Sequence, residues 1–93
     1  MILHTLNQPP ANLSCLERCL EAMAADDSLL LIEDGVYWAL PAFASRLAAL
    51  QGRLHLLEAD VKARGLELPA EQCINDDQFV ALCISHEKVV SWF

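Results

Sequence analysis

Apolar positions along this chain fall in short dense blocks separated by brief polar stretches, and the blocks alternate between strand-like and helix-like spacing. "MILHTL" opens as a short apolar strand, which the two prolines of "NQPPAN" break. Leu13, Leu16, Leu20, Met23 and Ala24 then recur at helical spacing, predicting a helix with that stripe toward the core. Asn12 or Ser14 can cap it, and Ser14 with Glu17 forms the pattern in which each side chain meets a free backbone N–H. "DDSLLLIEDG" predicts an acidic turn, a strand from Ser28 to Ile32 and a sharp exit at Asp34-Gly35. The strand is continuously apolar rather than alternating, which suits a strand covered on both faces.

"VYWALPAFASRLAALQG" is a second helical region. Pro41 interrupts it, so the pattern predicts one turn and then a helix from Ala42 to about Leu50, closed by Gly52. "RLHLLEAD" predicts a third strand, "VKARG" a helical turn ended by Gly65, and "CIN" a brief fourth strand. "DDQFVALCISH" is a third helix with Asp76 near its start, capped by Asp76-Asp77, and "KVVSWF" a fifth strand. This order implies an α/β fold: a single small domain over residues 1–93, with an open, mostly parallel sheet and helices on both faces. Sites in such folds sit at the carboxyl ends of strands. Here those positions are Asn7 to Ser14, Glu33 to Val36 and Glu58 to Asp60, and none carries the glycine-rich loop that a nucleotide phosphate requires.

Composition narrows the function further. Hydrophobic residues make up 55% of the 93, more apolar surface than one small core readily hides, which favours association with a partner and leaves the isolated chain open to self-association. The formal charge of −7 opposes direct binding to nucleic acid or to anionic membranes. No apolar run approaches a membrane span, and the N-terminus lacks a basic segment followed by an apolar one, so the expected compartment is the cytoplasm. There Cys15, Cys19, Cys73 and Cys83 are expected as free thiols, and their spacing, with scattered His4, His55 and His86, matches no common zinc pattern. No cofactor or metal is implied.

The candidate chemistry therefore rests on cysteine. Relative to a stripe centred near Leu20, Cys15 falls roughly 130° away and Cys19 roughly 90° away. Cys15 is thus expected mostly in solvent and Cys19 at the border of core and surface. Cys15 lies in the first turn, where the helix dipole favours thiolate, whereas Cys19 gains less from it. Both also read as ordinary small helix residues, and Cys83, beside Phe79, Val80 and Leu82, reads as buried packing. Glu33-Asp34-Gly35 reads mainly as a turn, and His4 as a satisfied, half-buried histidine. Tyr37, Trp38, Trp92 and Phe93 suit either a partner interface or the core.

Five segments together carry a resemblance: "LHTLN", the Leu16-to-Glu21 stretch around Cys19, "LLLIEDGVYWAL", "DVKARGL" and "DDQFVALCISHEKVVSW". In this order they resemble the DsrH/TusB family of sulfur-relay proteins. The resemblance implies a DsrEFH-like fold and the small subunit of a TusBCD-type assembly, a heterohexamer built as a dimer of three-subunit units. Its partners would be TusC/DsrF-like and TusD/DsrE-like subunits, relaying persulfide sulfur to a TusE/DsrC-like carrier and on to 2-thiolation of the tRNA wobble uridine. The principal sulfur-carrying cysteine would belong to the TusD/DsrE-like subunit. Cys19 matches a first-helix cysteine of DsrH-type members, and Cys15 does not. The resemblance thus implies a subunit that serves mainly in assembly, with Cys19 an accessory persulfide site. The alternative it leaves is a DsrEFH complex of sulfur oxidation, with Cys19 exchanging sulfur with a DsrC-like protein.

Overall fold

Five parallel strands pair into one sheet: β1 (Ile2–Leu6), β2 (Ser28–Leu31), β3 (Leu54–Leu57), β4 (Cys73–Ile74) and β5 (Lys88–Trp92), in the order β4-β3-β2-β1-β5. The computed structural model describes residues 1–93. Each step from β1 to β4 moves to the next neighbour in the same direction, whereas the last step returns across the sheet and places β5 against β1. Right-handed crossovers put links that run in opposite directions on opposite faces. Accordingly the main core lies on one face, where Leu6, Leu29, Leu31, Leu54 and Leu56 meet residues from all three links between β1 and β4. A smaller cluster of Leu3, Leu30 and Ile74 lies on the other face, under Phe79, Leu82 and Cys83. The α/β fold with a parallel sheet is as the sequence implied.

Helix α1 (Leu13–Ala22) is capped by Asn12, whose Oδ1 accepts from the Cys15 N–H at 3.4 Å and from Ser14 Oγ at 3.2 Å. This corrects the expected Ser14–Glu17 pair, because Ser14 already stands inside the helix. The region after β2 also differs. It forms two 3-10 helices, Glu33–Ala39 and Ala44–Leu50, in place of one turn and an α-helix from Ala42. Buried positions explain the tighter winding: Gly35 and Trp38, like Leu47 and Leu50, are three apart, and three residues per turn stack them on one ridge.

The strand expected across "RLHLLEAD" stops at Leu57, and Glu58–Ala63 forms helix α2. Glu58 and Asp60 occupy its first turn, where the helix dipole favours negative charge.

Helix α3 (Asp76–Ser85) is capped by Asn75 rather than by Asp76-Asp77. Asn75 Oδ1 accepts from the Gln78 N–H and Gln78 Oε1 accepts from the Asn75 N–H, each at 2.8 Å. Both partners are exposed, so Asn75→Ala should cost about 1 kcal/mol, read as a lower denaturation midpoint with an unchanged slope. No helix is long and apolar enough to cross a membrane.

Candidate functional site

The thiols of α1 sit deeper than the helical wheel implied. Cys15 is 6% exposed and Cys19 is fully buried, both inside the main core with Leu6, Leu16, Leu29 and Trp38. The expectations of a solvent-facing Cys15 and a border Cys19 are therefore corrected. A free thiol behaves as a small hydrophobe, so both cysteines belong to the apolar stripe. Counting them moves its centre from Leu20 to Leu16, and Leu13, Leu20 and Met23 become its half-buried margin. Burial, reinforced by neighbouring Cys15, pushes the Cys19 thiol up to about 12. Cys73, on β4, is half-buried and is also raised, by burial and then by Glu58 and Glu71. Cys83 is half-buried rather than buried, packed against the smaller cluster.

The loop before α1 is tied down by amides. Gln8 donates from Nε2 to Asn7 Oδ1 at 3.2 Å and accepts from Asn12 Nδ2 at 3.3 Å, while Trp38 Nε1 donates to the Gln8 carbonyl at 2.9 Å. Trp38, buried and edge-on to Phe43, is thus a core residue that fastens the β1–α1 loop. Its sequence alternatives resolve to the core.

Glu33-Asp34-Gly35 forms the elbow at which the chain leaves β2 and enters the first 3-10 helix. Glu33 adopts φ 49°, and its N–H donates to Asp60 Oδ2 at 2.7 Å. Arg64 holds the neighbouring carboxylate, with Nε donating to Asp34 Oδ1 at 3.0 Å and a second nitrogen 2.9 Å from the same oxygen. Asp34, Asp60 and Arg64 are thereby committed to one another. Gly35 is buried against β1: a Cβ there would lie 2.1 Å from the Leu6 carbonyl oxygen.

A second polar centre lies at the opposite end of the sheet, and sequence reasoning missed half of it. Asp27, 2% exposed, accepts from the Ile2 N–H (3.0 Å), the Ala24 N–H (2.9 Å) and His4 Nε2 (3.0 Å). His4 Nδ1 accepts from Trp92 Nε1 at 3.0 Å, and because indole only donates, the ring proton of His4 resides on Nε2. His4 is accordingly buried and doubly bonded rather than half-buried. Burial alone would raise Asp27, but the Ala24 N–H, His4 and the Ile2 N–H outweigh it and hold the carboxyl at about 2. In the sequence Asp27 reads as part of an acidic turn, and its adjacency to the apolar strand is the available signal.

On the α3 face, His86 Nδ1 donates to the Leu82 carbonyl at 2.7 Å, and its Nε2 lies 3.2 Å from Ser28 Oγ. Burial, and then His86, lower His55. No cluster of three or more His, Cys, Asp or Glu side chains is arranged to hold a metal ion.

These sites contain no assembled nucleophile and base, so likeness to other proteins carries the decision. A family model described as "DsrH like protein" matches residues 9–89. The chain belongs to the DsrH/TusB family. This DsrH/TusB chain is 32% identical over 99 residues to "Protein TusB" of Pectobacterium parmentieri, covering 98% of the chain and 100% of that relative. It is 32% identical over 96 residues to Protein TusB of Erwinia tasmaniensis, with the same coverage. Protein TusB of Buchnera aphidicola is 31% identical over 98 residues, again with 98% and 100% covered. In this member of the DsrH/TusB family, the first-helix cysteine named by the resemblance is the buried Cys19.

Proposed function

We propose that this chain is a subunit of a cytoplasmic sulfur-relay complex that supports 2-thiolation of the tRNA wobble uridine, working mainly through assembly with TusC- and TusD-like subunits. The observation that carries this reading is its similarity to TusB proteins along their whole length. The burial of Cys19 supports assembly over sulfur carriage. In persulfide transfer a carrier thiolate attacks the outer sulfur of a donor persulfide and displaces the donor as a thiolate. A thiol pushed up to about 12 is almost wholly protonated at neutral pH, and a fully buried one offers a donor no approach. Cys19 serves as an accessory persulfide site only if α1 shifts away from the sheet. The DsrEFH alternative, with sulfur moving between Cys19 and a DsrC-like protein, requires that same shift.

The test is to incubate the assembled complex with a cysteine desulfurase and cysteine, and then to weigh the peptide containing Cys19. The expected result is no added sulfur, with Cys19→Ala retaining at least half of the tRNA thiolation. Alanine leaves no buried hydroxyl unpaired, as serine would, and should cost about 1 kcal/mol in stability. A sulfur-bearing Cys19 whose loss abolishes thiolation would make this subunit a carrier and overturn the assembly reading.

A further inference from the structure

Helix α3 is apolar on more than the side it packs. Phe79, Leu82 and Cys83 face the sheet, yet Val80 and Ile84 are 57% and 79% exposed. At roughly 100° per residue, Val80 and Ile84 lie roughly 100° and 140° round the helix from Phe79. Gln78, Ala81, Leu82 and Ser85 line a groove of about 350 Å³ with His55 of β3 and Ile74 of β4, so that flank of α3 points toward β3 and β4. Val80 and Ile84 are on the other flank, the one turned toward the β1–β5 side of the sheet. Val89 of β5 is in register with Leu3 and shares its face, and strand alternation brings Phe93 to that face too. They are 46% and 81% exposed.

The α3 face of the sheet is therefore left open along its β5 edge. Five strands about 4.8 Å apart span about 20 Å. One helix is about 10–12 Å across with its side chains. Leu3 and Thr5 of β1 are buried on this face, so the uncovered strip is the β5 edge together with the outer flank of α3. Because parallel sheets are normally covered on both faces, that strip can seat one more helix. The surrounding charge indicates which chain supplies it. Asp76 and Asp77 are exposed at the start of α3, with Asp77 roughly 160° from Phe79 and so on the same flank as Val80 and Ile84. At the other end, Asp26 and Glu87 hold the Met1 ammonium at 3.4 and 3.6 Å, an excess of one negative charge. Lys88 alternates with Val89 and points to the opposite face. A second copy would bring this acidic border against itself and add a charge of −7 to −7. A helix flanked by Lys or Arg meets both requirements.

We infer that Val80 and Ile84 of α3, with Val89 and Phe93 of β5, form the docking face for a sister subunit. That subunit seats there an amphipathic helix whose apolar stripe is bordered by basic side chains. The inference rests on the assembly role proposed above. The test co-expresses the full chain with tagged TusD-like and untagged TusC-like subunits from the same organism and measures the amount retained on the tag. The Val80→Glu/Ile84→Glu variant should be retained at least tenfold less, and Asp77→Lys several-fold less. Ala48→Glu, exposed on the other side of the sheet, should be retained as wild type. All altered positions are exposed, and unchanged melting of the isolated variants separates docking from folding.

Normal retention of the double variant overturns the docking face while leaving the assembly role standing. Failure of the wild-type chain to be retained overturns both. A dimer of the isolated chain that the double variant splits, with sister binding intact, assigns the face to a second copy and also overturns the inference.

Discussion

Gly35→Ala is expected to lower the thermal midpoint by roughly 12–24 °C, the largest effect among the three glycines. The added Cβ would stand 2.1 Å from the Leu6 carbonyl oxygen, and Gly35 cannot retreat because its own N–H donates to the Ile32 carbonyl at 2.8 Å. Leu6 is equally constrained, since its carbonyl accepts from the Ile32 N–H at 3.1 Å. Either the elbow or the end of β1 must move, at a cost of about 3 kcal/mol or more. Gly52 gives an informative contrast. It has open space around a Cβ but φ 84°, so Gly52→Ala should cost only about 1–2 kcal/mol through backbone strain. Asparagine, which tolerates that conformation, should recover part of the Gly52 loss and none of the loss at Gly35. A shift below about 5 °C for Gly35→Ala would mean that the elbow does not rest against β1.

Removing the Asp27 carboxylate should be comparably damaging. Asp27→Ala leaves three donors without their acceptor, two backbone N–H groups and His4 Nε2, all at the buried amino end of the sheet. With each buried orphan costing about 1–3 kcal/mol, a loss of about 3–5 kcal/mol is expected in a denaturant titration, after partial relaxation toward water. Asp27→Asn keeps one acceptor and should lose roughly half as much.

The same carboxylate sets an acid dependence. Its folded value, about 2, lies below the ordinary 3.8, so protonation favours the unfolded chain. Its contribution, on the order of 1–2 kcal/mol, is complete above about pH 4 and is lost as the pH falls toward about 2. Wild-type stability should therefore fall through that window, and Asp27→Asn should flatten the fall. An equally steep acid dependence in Asp27→Asn would move its origin to other carboxylates.

What could be read in the sequence follows from the range of the interactions involved. The strands were legible because buried parallel strands are runs of Leu and Ile bounded by turn residues, as in Ser28 to Leu31. The path from Glu33 to Leu50 was not, because its winding is set by which side chains the sheet buries and not by local preference. Asn75 does not stand out as the cap because the two aspartates after it carry the same local signal.

The site was legible only in part. Cys19 stands out in the sequence, but its depth does not, because a wheel drawn from Leu and Met alone leaves out the thiols that the core buries as apolar surface. The His4–Asp27–Trp92 chain joins residues 23 and 88 apart, and no local pattern encodes such a meeting. The aromatic group divided once it was placed: Trp38 fills the core, Trp92 stacks on His4 at 6.2 Å, and Phe93 is left in solvent.

The pairing of β5 with β1 has a consequence for the order of events in synthesis. β1 is made before the other four strands and sits inside the sheet, yet its β5 side stays open until Lys88–Trp92 is added. Trp92 of β5 is also the residue that completes the hydrogen bonding of His4. Until β5 is made, β1 is therefore an edge strand whose backbone groups on that side are unpaired. Closing the fold waits for β5, and a bulky group fused close behind Trp92 would burden that step.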